Sequence, residues 1–184
     1  MSLQQEKNWF VNVCCVILIA LFLCPTSAYA SVVTEYENEK IRQTVKKYIT
    51  VEENLLMTFD EGAALANNED ELVIEVGNKI EEFALAYYYA DNSDVMPYVD
   101  MNFPVYGNYC GPGTPDYNGV PVDRLDTACQ AHDKCYREKG DWNCECDENL
   151  IASVKSMLGG LKGTARVAGN AIIAFFELRG FLGC

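Results

Sequence analysis

Between residues 35 and 58, Tyr36, Ile41, Val45, Tyr48, Ile49, Leu55 and Leu56 recur at three-to-four spacing. That period predicts an amphipathic helix packed on its own domain. Asn67-Asn68-Glu69-Asp70 breaks the pattern. A second helix is predicted from about Glu71 to Tyr89, with Leu72, Val76, Ile80, Phe83, Ala84 and Tyr87 on one face. Pro97 and Pro104 then mark an irregular connection. From Tyr106 to Pro121 glycine and proline dominate, and neither helical nor strand period is visible.

Periodicity returns after Asp123, a good helix N-cap with Asp126 three positions on, and Gly140 supplies the stop. Within this segment Leu125, Ala128, Cys129, His132, Cys135 and Tyr136 form one stripe, so His132 is expected to face inward. Asp133 lies one position round the helix. A further helix begins near Cys146 and runs to about Leu158, with Asp147 on the face of Leu150, Ile151 and Val154. A carboxylate on an apolar face needs a partner, because burying it alone is costly. His132 is the chain's single imidazole, and it is the expected partner. After Gly159-Gly160, Val167 to Phe176 reads as a last apolar helix, and Glu177 and Arg179 interrupt it too early for a membrane span. The fold class expected is mainly α.

The first 30 residues change the picture of compartment. A polar start with Lys7, an apolar run from Val13 to Leu23 and Ala28-Tyr29-Ala30 have the layout of a secretory signal peptide, with the mature chain expected from Ser31. The run is shorter than the roughly 20 residues a bilayer requires. Of nine cysteines, six lie beyond that point, all in the C-terminal half: Cys110, Cys129, Cys135, Cys144, Cys146 and Cys184. An even set in a secreted chain reads as a disulfide framework.

Charge separates the halves. Residues 31–100 carry 16 acidic and 5 basic side chains, whereas residues 101–184 carry 10 and 8. With so few clustered bases, nucleic acid is not an expected partner, and contact with lipid has to use apolar side chains or a bound metal.

Chemistry concentrates in two stretches, Tyr106-Gly107-Asn108-Tyr109-Cys110-Gly111-Pro112-Gly113 and Cys129-Gln130-Ala131-His132-Asp133-Lys134-Cys135-Tyr136. Glycines let a loop turn its carbonyls inward, a hard cation takes carbonyl and carboxylate oxygens, and histidine serves as a base near neutral pH. Together with Cys144-Glu145-Cys146-Asp147, these stretches resemble the secreted, calcium-dependent phospholipase A2 family. Its signatures are a Y-G-x-Y-C-G-x-G loop, C-C-x-x-H-D-x-C-Y on a helix and C-x-C-D opening the antiparallel partner helix. The resemblance covers roughly residues 80–158.

That resemblance implies two antiparallel disulfide-linked helices with a calcium-binding loop, preceded by an N-terminal helical extension. It implies Ca²⁺ held by the carbonyls of Tyr109, Gly111 and Gly113 and the carboxylate of Asp133. His132 and Asp147 are then the catalytic pair, His132 taking a proton from a water that attacks the sn-2 ester of a glycerophospholipid at a membrane or micelle surface. The Gly111 N–H helps to hold the oxyanion, and Tyr136 steadies Asp147. Membrane contact is peripheral only. The implied pairings are Cys110 with Cys129 and Cys135 with Cys146, which leaves Cys144 to Cys184. The region around Glu81 to Ala90, with Phe83 and Tyr87 inward, takes the place of the family's channel-lining helix. The expected organisation is signal peptide 1–30, an acidic helical extension or pro-segment 31–78, and a catalytic domain 79–184.

The chain also departs from the family. The metal loop is longer than in the common forms, and the seven residues from Arg137 to Asn143 leave no room for a two-stranded β-wing. The second tyrosine that usually holds the buried aspartate is missing with it, so only Tyr136 is expected there. Two other readings compete: a binding or toxin-type module that keeps the fold without turnover, and a zinc site built from Cys129, His132, Cys135, Cys144 and Cys146.

Overall fold

The computed structural model describes residues 26–52, 56–91, 105–112 and 119–180. By the density of internal contacts the chain divides into residues 1–37 and residues 38–184. Within the first unit only the stretch from Thr26 is described, and it is helical. The expected signal peptide therefore falls almost wholly outside the described residues, as do Pro97, Pro104, Gly113 and Cys184.

Six α-helices and one small sheet are described, with one 3-10 turn (Lys46–Tyr48). They are α1 (Thr26–Val45), β1 (Ile49–Val51), β2 (Met57–Phe59), α2 (Glu61–Ala66), α3 (Glu71–Asp91), α4 (Arg124–Lys139), α5 (Cys144–Leu158) and α6 (Gly163–Gly180). The helix expected over 35–58 stops at Val45; Lys46–Tyr48 form a 3-10 turn, and β1 and β2 pair antiparallel, Ile49 with Phe59, Thr50 with Thr58 and Val51 with Met57. The β-branched run Ile49-Thr50-Val51 favours that state. Alternation then buries Met57 and Phe59 while leaving Thr58 less covered. Phe59 lies so close to α3 that a Cβ on Gly77 would come within 2.4 Å of its ring.

The second expected helix is α3, which runs unbroken across position 78. Val73, Val76, Ile80, Phe83 and Ala84 of this helix join one core with Val45, Met57 and Phe59. At its centre is α6, buried continuously from Val167 to Phe176 and packed on α3 and α5. A helix apolar on all sides belongs inside a bundle. Residues 38–46 are tied to it by polar contacts: Arg42 Nη1 donates to Asn170 Oδ1 at 3.0 Å, Arg166 Nε donates to Asn38 Oδ1 at 2.9 Å, and Lys46 meets Glu177 at 2.6 Å. No helix among the described residues is long and apolar enough to cross a membrane.

The α4–α5 pair follows its sequence signals closely. The Asp123 side chain accepts from Asp126 N at the start of α4, and Gly140, at φ +92°, ends it by donating to Tyr136 O at 2.8 Å. Asn143 caps α5 after a turn of only four residues, 140–143, so α5 folds back along α4. Cys135–Cys146 joins the two helices, and Cys110–Cys129 joins the glycine-rich loop to α4. Both pairings are those the resemblance implies. Cys144 is disulfide-bonded too, while Cys184 lies outside the described residues. Oxidised sulfurs cannot serve as thiolate ligands, which removes the zinc reading.

Candidate functional site

Inward placement of two helix faces brings His132 and Asp147 together. His132 Nε2 stands 2.9 Å from Asp147 Oδ1, and both side chains are buried. The carboxylate has two further partners. Tyr136 donates its hydroxyl to Oδ1, and Arg179 donates Nη1 to Oδ2. Burial, then the hydrogen bond and charge of Asp147, push the Tyr136 phenol far above its ordinary value. The raised value keeps the Tyr136 hydroxyl a donor at neutral pH.

Arg179 corrects the expectation that Tyr136 alone would hold Asp147. Its guanidinium carbon lies 3.8 Å from the centroid of the Trp142 ring. Arg179 is visible in the sequence as a charge that interrupts an apolar run, but its partner is 32 residues away and no local period connects them.

Asp126 was legible only as a position near the helix cap. It is fully buried and organises the glycine-rich loop. Its carboxylate accepts from Asn108 N at 3.0 Å, from Tyr109 N at 2.8 Å and from Val122 N at 2.9 Å. Gly107 is required at this approach: its φ is +60°, and a Cβ there would come within 2.4 Å of Asp126 Cγ. Cys110 spends both its N–H and its carbonyl on a bridge to Tyr106. The Tyr109 hydroxyl closes the outer rim by donating to Gly119 O at 2.6 Å. Burial and the hydrogen bond to Asp123 push the Tyr106 phenol up to about 12.

Tyr109, Gly111, His132 and Asp133 line one pocket, with Phe83, Tyr87 and Phe176 among its apolar walls. Phe83 and Tyr87 come from α3, as expected for a channel-lining helix. Phe176, on α6, was not anticipated; its ring meets His132 edge-on at 5.1 Å between centroids. Of the residues expected to hold a metal, Tyr109, Gly111 and Asp133 border the same space, and Gly113 lies outside the described residues. Peptide carbonyls and a carboxylate make an all-oxygen set, the chemistry that suits Ca²⁺.

Residues 93–159 match the family model described as phospholipase A2. Among curated relatives, the chain is 44% identical over 50 residues to "Basic phospholipase A2 nigroxin A" of Micrurus nigrocinctus, covering 27% of this chain and 39% of that protein. It is 49% identical over 43 residues to "Basic phospholipase A2 CM-III" of Naja mossambica, covering 23% of this chain and 34% of the relative. It is 52% identical over 40 residues to "Acidic phospholipase A2 E" of Naja oxiana, covering 22% and 31%. The chain therefore spans less than two fifths of the length of these relatives. No solved structure matches.

Proposed function

We propose that this chain, which belongs to the phospholipase A2 family through residues 93–159, is a secreted calcium-dependent hydrolase of the sn-2 ester of glycerophospholipids. The observation that carries the proposal is the buried His132–Asp147 pair opening onto a pocket that Gly111 and Asp133 also line.

The mechanism follows from the hydrogen-bond pattern. With Asp147 accepting from Nε2–H, the lone pair of the imidazole is on Nδ1. Nδ1 takes a proton from water as the water oxygen attacks the ester carbonyl carbon. Asp147 stabilises the imidazolium that forms and keeps its orientation. That proton then passes to the departing lysophospholipid oxygen, giving a free fatty acid and regenerating neutral His132. Tyr109, Gly111, Gly113 and Asp133 are the residues to hold Ca²⁺, which when bound supplies a Lewis acid for the ester carbonyl. The Gly111 N–H adds a donor for the developing oxyanion. Phe83, Tyr87 and Phe176 give the acyl chain an apolar wall and keep bulk water from His132. The presence of His132, Asp133 and Asp147 together supports turnover over a binding-only module.

The test is positional hydrolysis of phospholipid vesicles or mixed micelles carrying distinguishable sn-1 and sn-2 chains, with calcium varied. Release of the sn-2 chain alone, abolished by chelation and restored by Ca²⁺, is the result expected. Release from sn-1, or release indifferent to chelation, contradicts the proposal.

A further inference from the structure

We infer that Arg179 is a positioning residue for the catalytic pair, contributed by a helix that lies wholly outside the family-matched segment. The inference rests on the reading of His132 as the base. Asp147 is buried, and Oδ1 is shared by the His132 imidazole and the Tyr136 hydroxyl, while Oδ2 faces neither of them. Burying a carboxylate costs free energy that hydrogen-bond donors offset in part and a paired cation offsets further. Arg179, equally buried, is that cation, and it engages the oxygen that His132 and Tyr136 leave.

Geometry makes the role one of orientation as well as charge. With Oδ2 fixed by the guanidinium, the carboxylate plane cannot turn Oδ1 away from Nε2. The guanidinium is in turn fixed from one face by Trp142. Trp142 sits in the turn between α4 and α5 with φ +62°, a conformation a bulky residue rarely adopts. Its ring also packs on Tyr87 and Tyr136, 5.1 and 6.3 Å between centroids. The turn that replaces a β-wing thus delivers an aromatic plate to the arginine, and α6 delivers the arginine to the aspartate. A planar, forked cation matches this task better than an ammonium does.

Arg179→Met, Arg179→Lys and Trp142→Leu test the inference in the full chain, with His132→Gln as control. Two readouts are needed: steady-state hydrolysis, and ¹⁵N–¹H resonances of labelled histidine, which come from His132 alone because the chain has one histidine. Arg179→Met is expected to lower kcat about 100-fold with KM and Ca²⁺ affinity held within about twofold, and to lose the single Nε2–H tautomer. Arg179→Lys is expected to restore part of both, and Trp142→Leu to weaken both less than Arg179→Met. If Arg179→Met does not fold, the lysine and Trp142 variants decide: wild-type kcat and a wild-type imidazole spectrum in both overturn the inference. So does an Arg179→Met protein that folds and keeps both. An inactive wild type, or an active His132→Gln, overturns the hydrolase reading instead, and the imidazole spectra still decide the role of Arg179.

Discussion

Asp126 Oδ1 accepts the backbone N–H of Tyr109 at 2.8 Å, from the first turn of α4 into the glycine-rich loop. That bond, with those from Asn108 N and Val122 N, makes a helix side chain the internal template of the loop that borders the pocket. Asp126→Asn keeps the shape but replaces an acceptor oxygen by an NH₂ facing amide donors. A destabilisation of about 2–4 kcal/mol is expected, read by urea unfolding, with weaker Ca²⁺ binding by calorimetry. Gly107→Ala is expected to act in the same direction, because the added Cβ meets the same carboxylate.

Asp133 and His132 are adjacent in sequence but have separate tasks in the proposal. Asp133→Lys places a cation in the metal set, so Ca²⁺ binding and turnover are both expected to vanish. His132→Gln is expected to leave Ca²⁺ affinity within about threefold of the wild type. Calorimetric titration of the two variants side by side checks the division. Equal loss of Ca²⁺ binding in both contradicts it.

Alkaline pH tests the loop through Tyr106. Its folded pKa, raised by burial and then by Asp123, lies above that of an unfolded tyrosine. Above about pH 10 the unfolded chain therefore releases this proton first, and stability falls as pH rises from about 10 to about 12. Tyr106→Phe removes the titrating group and is expected to flatten that part of the profile. Chemical denaturation at stepped pH measures it.

Residues 31–78 were open between a removable pro-segment and a permanent layer. We propose the latter for residues 38–78, because Val45, Met57 and Phe59 are core side chains, each worth roughly 1.5–3 kcal/mol when buried. Their sum is comparable with the roughly 5–15 kcal/mol that holds a domain together. A chain lacking residues 31–59 is expected to be secreted poorly and to show no cooperative thermal unfolding. Full activity and a sharp transition in that truncated chain would restore the pro-segment reading.

The sequence spoke clearly wherever a local signal sets the structure. Asp123 and Gly140 bound α4, the stripe through His132 turns it inward, and Asp147 on an apolar face calls for a partner. The hairpin was hidden because Ile49, Leu55 and Leu56 also satisfy helical spacing, and three-residue strands carry too little alternation to compete. Arg179, Phe176 and Asp126 were hidden for another reason. Their roles depend on where α6 and the loop pack, and packing between distant segments leaves no period in the chain.

The most direct measurement compares wild type and His132→Gln on a phospholipid labelled in its sn-2 chain, at saturating calcium, with circular dichroism to verify that both are folded. The expected result is release of labelled fatty acid and lysophospholipid by the wild type, and a loss of at least about 10³-fold in the variant. Equal release by both proteins, or none by a folded, calcium-bound wild type, contradicts the account.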